Sequence, residues 1–192
     1  MGSAQEDLAK AAQLPEGDVI RLLLEQHARI RQLFTEVKAA RGEECRDAFA
    51  ELRALLAVHE TAEQLVLRPA SKKTAGEHVA EARTQEEVEA TRMLAELEEL
   101  TVDSPDFAAR LATFESDVDR HAEAEEHEEF PAILAGCTEE ERQRMGTRLQ
   151  AAEKVAPTRP HPSVAGSTAA TLLTAPLAAI VDRTRDAIQK AS

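Results

Sequence analysis

The sequence predicts an all-α protein, an up-down-up-down four-helix bundle with additional short C-terminal helices. Three observations point there. Apolar residues recur at helical spacing through four long segments. Aromatic residues make up only 3% of the chain, all of them Phe, where a β-sandwich or barrel carries more aromatic and β-branched side chains. Charged residues reach 31%, with abundant Ala, Leu, Glu and Arg, the composition of long helices.

Residues 1–15 are polar and read as a flexible N-terminus ending at Pro15. The first helix is expected from Gly17 to Ala40, with Ile20, Leu23, Leu24, His27, Ile30, Phe34 and Val37 on one stripe. The second, from Glu43 to Leu67, carries Phe49, Leu52, Leu55, Leu56, His59, Glu63 and Val66 inward. Pro69 is expected to stop it. Ser71, Lys72, Lys73 and Gly76 then read as a loop. The third helix spans Glu77 to Leu100 with Val79, Arg83, Glu87, Ala90, Leu94 and Leu97 inward. Ser104-Pro105-Asp106, an N-cap followed by proline at the first helical position, opens the fourth. That helix carries Phe107, Leu111, Phe114, Val118, His121, Glu125 and Glu129, and bends or ends near Pro131. Thr138 with Glu141 forms a capping box for a short fifth helix to Lys154. The bundle and this helix make residues 16–154 one unit. Residues 155–192 hold a proline-rich linker, APTRPHPS, and an amphipathic helix from Pro176 to Lys190 that docks on the bundle or on a second copy as a homodimer.

Bulk properties exclude several functions. A net charge of −13 repels phosphate backbones and anionic membrane surfaces, so no nucleic acid and no membrane partner is expected. No apolar run approaches the ~20 residues that span a bilayer. The start, MGSAQEDLAK, lacks a secretory layout and has Glu6 where a myristoylation motif wants Ser or Thr. Cys45 and Cys137 are isolated thiols, too few for a cysteine zinc site and at home in a reducing, cytoplasmic setting. No glycine-rich phosphate loop or nucleophile elbow is present.

The chemistry is carried by a motif that occurs twice. His59 is followed four residues later by Glu63, and His121 four residues later by Glu125. On a helix, residues i and i+4 share a face, so each pair aims an imidazole nitrogen and a carboxylate oxygen at one point. His27 on the first helix and Glu87 on the third interrupt their apolar stripes at mid-length as well. Unpaired buried charges cost several kcal/mol. Four interruptions at matched height are explained by a metal pair held between the helices, the arrangement of di-iron and di-manganese bundles. Taken singly, each pair also reads as a surface ion pair and His27 as a hydrogen-bonded core histidine. Glu60 and Glu86 read as helix-flank carboxylates, with ligation as their alternative. His78 and His127 fall off the stripe and read as surface residues, and His161 as a linker residue.

The segments LLLEQHARIRQLF, LLAVHETAEQLVLRP and RHAEAEEHEEFPAIL, with a weaker match in TQEEVEATRMLAELEEL, resemble the hemerythrin-like HHE cation-binding proteins over roughly residues 16–136. The tail is similar to the C-terminal extension of some bacterial members. The resemblance implies a hemerythrin-like four-helix bundle holding two Fe ions with a bridging oxo or hydroxo species, with His27, His59, Glu63, His121 and Glu125 at ligand positions. Mn or Zn would also suit these donors. It implies O2, peroxide or nitric oxide as the small ligand, with peroxide or nitric oxide consumption as the enzymatic form. Glu87 stands where the family commonly has histidine. The added carboxylate charge is expected to lower the reduction potential, which disfavours simple O2 carriage and favours turnover, sensing or iron holding. Arg68, where several relatives carry an aromatic, is expected at the bundle surface. The same residues also serve a non-catalytic iron-binding or sensing module, and a metal-free structural helical protein is the third reading.

Overall fold

The computed structural model describes residues 2–154 and 177–191. The described residues are helical, with no strand among them. The bundle consists of α2 (Val19–Ala39), α3 (Gly42–Ala62), α5 (Glu77–Glu98) and α6 (Pro105–Ala124). Before them lies α1 (Ala4–Ala11), and α3 and α6 continue into α4 (Arg68–Thr74) and α7 (Phe130–Gly136). After them come α8 (Glu139–Glu153) and α9 (Leu177–Lys190).

The capping devices act where the sequence places them. The Asp18, Ser104 and Thr138 side chains accept from the first turns of α2, α6 and α8, and Thr138 with Glu141 closes a capping box. The N-terminus departs from the expectation of a flexible segment. Ser3 and Glu6 form a second capping box that opens α1, and Asp7 pairs with Arg31 of α2. Side-chain anchoring of this kind overrides the polar composition of the segment.

A second departure lies at the prolines. Residues Glu63–Leu67 and Glu125–Glu129 each form a π-helical turn, in which the N–H of Arg68 bonds to the Glu63 carbonyl and that of Phe130 to the Glu125 carbonyl. The wider turn accommodates the proline that follows, Pro69 or Pro131, without ending the helix. Helix therefore runs on through Ser71, Lys72 and Lys73, which the sequence assigned to a loop. The Leu65 carbonyl, which the N–H-less Pro69 cannot serve, accepts instead from Arg148 at 3.5 Å.

Two apolar clusters fill the bundle. One gathers Ile20, Leu23, Leu24, Val66, Leu67, Phe130 and Ile133 with Leu149 of α8 and Ile180 and Ile188 of α9. The other gathers Leu33, Phe34, Leu52, Leu56, Leu97, Phe107 and Phe114. Each fully buried large side chain contributes about 1.5–3 kcal/mol. α8 closes on α2 through Gly146, where an added Cβ would stand 1.8 Å from the Gly17 carbonyl oxygen, and through Arg142, which donates to Asp18 at 2.7 Å. α9 docks on the bundle of its own chain, burying Ile180, Thr184 and Ile188. The proline-rich linker with His161, and Pro176, lie outside the described residues. No described helix is long and apolar enough to cross a membrane. Between the two apolar clusters lies a polar layer.

Candidate metal centre

Three imidazoles enter that layer from three helices: His27 from α2, His59 from α3 and His121 from α6. Each is buried, and each is held in the same way. His27 Nδ1 faces Glu126 Oε1 at 3.2 Å, His59 Nδ1 faces Gln26 Oε1 at 2.8 Å, and His121 Nδ1 faces Glu86 Oε2 at 2.8 Å. With Nδ1 donating outward, each Nε2 faces the centre, which is the arrangement that orients a metal-binding histidine. Gln26 is held in turn, donating to Glu153 of α8 at 2.8 Å.

The carboxylates meet these nitrogens. His59 Nε2 lies 3.3 Å from Glu63 Oε1, and His27 Nε2 lies 3.4 Å from Glu125 Oε2. His121 Nε2 lies 3.6 Å from Glu63 Oε2 and 3.5 Å from Glu125 Oε1. Glu63 and Glu125 therefore each turn one oxygen to either side of the layer. Two groups can hold a metal ion, each with ligand atoms within 4.8 Å of one another: His27, His59, Glu63 and Glu125; and Glu60, Glu63, Glu87 and His121. All six sequence-predicted residues are brought together. His78 and His127 are exposed, as their positions off the stripe predict.

The donors fit a cation on a direct test. His27 Nε2, His121 Nε2, both oxygens of Glu63, and Oε2 of Glu60, Glu87 and Glu125 are buried without a hydrogen-bond partner. Each orphaned buried polar atom costs on the order of 1–3 kcal/mol, so together they rival the ~5–15 kcal/mol stability of a whole domain. Cations held in the two groups would relieve these atoms together. The titration behaviour carries the same strain. Burial would depress His27, but the carboxylates of Glu125 and Glu126 push it up to about 9. His121 is raised above its ordinary value by Glu125, Glu63 and Glu86 against the pull of burial, whereas burial and the neighbouring His27 hold His59 well below it. Burial raises Glu60 well above the usual carboxylate range and Glu87 to about 8.

Several site residues depart from the sequence reading. Glu60, expected at the helix flank, is buried within the second group. Glu86 serves the imidazole of His121 instead of the centre. Gln26 and Glu126, which support His59 and His27, are not among the residues the sequence singles out; Gln26 lies at helical spacing from Leu23 and Ile30, and that polar break in the stripe is its signal. The largest correction concerns Arg68. It is 4% exposed, and its guanidinium pairs with Glu87 and Glu129 and reaches Glu125 Oε1 at 3.3 Å and Glu63 Oε2 at 3.9 Å. In an α-helix, residues five apart point about 140° from one another. The π turn sets residue i+5 over residue i, so Arg68 joins the face of Glu63. The Arg68 guanidinium thus stands against Glu87, where it offsets the negative charge that this residue, raised to about 8 by burial, takes on when ionised.

A cavity of about 10 Å³, roughly one water in size, opens beside the imidazoles. Its walls include His27, His59, Glu60 and His121, with Ile30, Val118 and Ala122 as apolar neighbours. Arg31 and Asp119, paired at 3.0 Å, complete it.

Comparison with known proteins agrees with this geometry. The sequence model of one family, the hemerythrin HHE cation binding domain, matches residues 18–133. An uncharacterized hemerythrin-like protein of Schizosaccharomyces pombe is 26% identical over 138 residues, covering 70% of this chain and 68% of that protein. A protein of Nostoc sp. named DNA nickase is 27% identical over 137 residues, covering 71% of this chain but only 38% of the relative's length. No solved structure gives a significant match.

Proposed function

This chain belongs to the hemerythrin HHE cation-binding family, and on that premise we propose that it is a non-heme di-iron protein handling O2, peroxide or nitric oxide. The observation that carries the proposal is the conjunction of two His/Glu groups with a cavity of one-water size against three imidazoles. A space of that size admits a guest of about one water's dimensions and excludes metabolites of ordinary size.

In this reading His27, His59, Glu63, Glu87, His121 and Glu125 hold the metal, with Glu60 as a further donor. Iron held by these residues would supply redox equivalents and bind the small ligand. The chain supplies the rest. Gln26, Glu86 and Glu126 fix the imidazole tautomers. Phe130 stacks on the His27 ring at 5.6 Å and, with Ile30, Val118 and Ala122, keeps bulk water from the centre. Pairing of Glu87 with Arg68 removes the reason to expect an unusually low reduction potential, so carriage stands beside turnover and sensing. The nicking of DNA in the name of the Nostoc relative is not carried over, since the match covers 38% of that protein and a charge of −13 opposes a phosphate backbone.

The test is elemental analysis of the purified protein, followed by anaerobic iron loading and exposure to O2, peroxide or nitric oxide in turn. A near-ultraviolet charge-transfer band that changes with at least one of them supports the proposal. Protein that takes up no iron, or loaded protein inert to all three, contradicts it.

A further inference from the structure

We propose that the two metal subsites are unequal, the first ion entering at His27, His59, Glu63 and Glu125, and that Arg68 acts as a fixed cation that weakens the second at Glu60, Glu63, Glu87 and His121. The inference rests on the metal-binding reading above and deepens it.

Donor chemistry already separates the two groups. The first offers two imidazole nitrogens and two carboxylates, the second one imidazole and three carboxylates. Imidazole-rich sites favour borderline ions such as iron and zinc, and carboxylate-rich sites favour harder ones such as manganese.

Arg68 adds a second asymmetry. Its Nη2 pairs with Glu87 Oε1, lies 3.3 Å from Glu125 Oε1, and lies 3.9 Å from Glu63 Oε2. The oxygens of Glu63 and Glu125 that it approaches are those facing His121, on the side of the second group. Their partners, Glu63 Oε1 and Glu125 Oε2, face His59 and His27 and are left to the first. The other guanidinium nitrogen, Nη1, pairs with Glu129, which is fully buried. Clamped at both ends and 4% exposed, the guanidinium is held within the buried centre. A divalent ion in the second group therefore sits beside a permanent positive charge that shares its carboxylates, whereas that charge stands closest to Glu63 Oε2 and Glu125 Oε1 and not to Glu63 Oε1 or Glu125 Oε2, the oxygens left to the first ion. In a low-dielectric interior such repulsion weakens the second ion at least about tenfold.

The experiment is an anaerobic titration of the full-length metal-free chain with Fe(II), and separately with Mn(II), read by calorimetry and by electron paramagnetic resonance. The wild-type protein should take up ions in two steps, the first saturating at one per chain and the second at least about tenfold weaker. With Fe(II), the ion that the imidazole-richer group prefers, His59→Ala should remove the first step. Arg68→Met should strengthen the second at least about tenfold and leave the first within about threefold. Because the variant leaves Glu87 and Glu129 facing each other, the double substitution Arg68→Met with Glu129→Gln is measured as well, with circular dichroism confirming the fold of both. Uptake of two ions in one step by the wild-type chain overturns the inference and leaves the metal-binding reading intact. Folded Arg68 variants whose second ion binds no tighter overturn the role of Arg68. A wild-type chain that binds neither metal overturns the functional reading and this inference together.

Discussion

His59 donates its Nδ1 proton to Gln26 across 2.8 Å, and Gln26 is itself anchored to Glu153, so a residue of α8 governs the orientation of an imidazole on α3. Replacing Gln26 with Leu removes the acceptor while keeping the volume. Loss of such a supporting bond costs about 10–100-fold in metal affinity. Competition against a chelator with the wild-type and Gln26→Leu proteins checks this, and equal affinities would show that Gln26 plays no orienting part.

Glu63 turns one oxygen to His59 and the other to His121, and it appears in both ligand groups. Glu63→Gln keeps the shape and removes the charge from both subsites. Bound metal per chain should fall below roughly a tenth of wild type, since a carboxamide is a far weaker ligand for hard cations. Elemental analysis after desalting measures it.

Metal-free protein should lose stability as pH rises from about 6 to 9. The folded-state value of His27 is raised to about 9, so its contribution is full below the unfolded value of 6.5 and disappears as pH climbs through 9. Glu87 is raised to about 8, so the fold favours its protonated form and is penalised increasingly above the unfolded value of 4.5. Both groups act in the same direction. A melting series should show the metal-free midpoint falling by on the order of 5 °C across this window. Metal binding displaces these protons, so affinity should strengthen over the same range. A metal-free midpoint that rises with pH would contradict the assignment.

Gly146 sets two effects against each other. In an exposed helix, glycine to alanine gains about 1 kcal/mol. Here the new Cβ would meet the Gly17 carbonyl at 1.8 Å, so Gly146→Ala should destabilise by about 1–3 kcal/mol as α8 is pushed from α2. Thermal melts of the two proteins decide the sign.

Fold and site are legible in the sequence where the α-helical period holds. The stripes on α2, α3 and α6, the caps at Ser104 and Thr138, and the convergence of His27, His59, Glu63, Glu87, His121 and Glu125 all follow from residues three or four apart. They are hidden where that period is broken. The π turns begin at Glu63 and Glu125, and beyond each the helical face is rotated. Arg68 thereby moved from the expected surface to the centre, and Lys72 and Lys73 from a loop to a helix. α1 is illegible for a different reason: Ser3 and Glu6 spell a capping box, but the polar segment lacks the apolar stripe that marks a helix in sequence.

The most direct measurement of the central claim is anomalous scattering, collected at the iron absorption edge, from crystals of iron-loaded protein. A peak enclosed by His27, His59, Glu63 and Glu125, with a second of lower occupancy beside Glu60, Glu87 and His121 at limiting iron, is the predicted result. Iron found only at surface carboxylates, with the three imidazoles still free of it, would contradict the account.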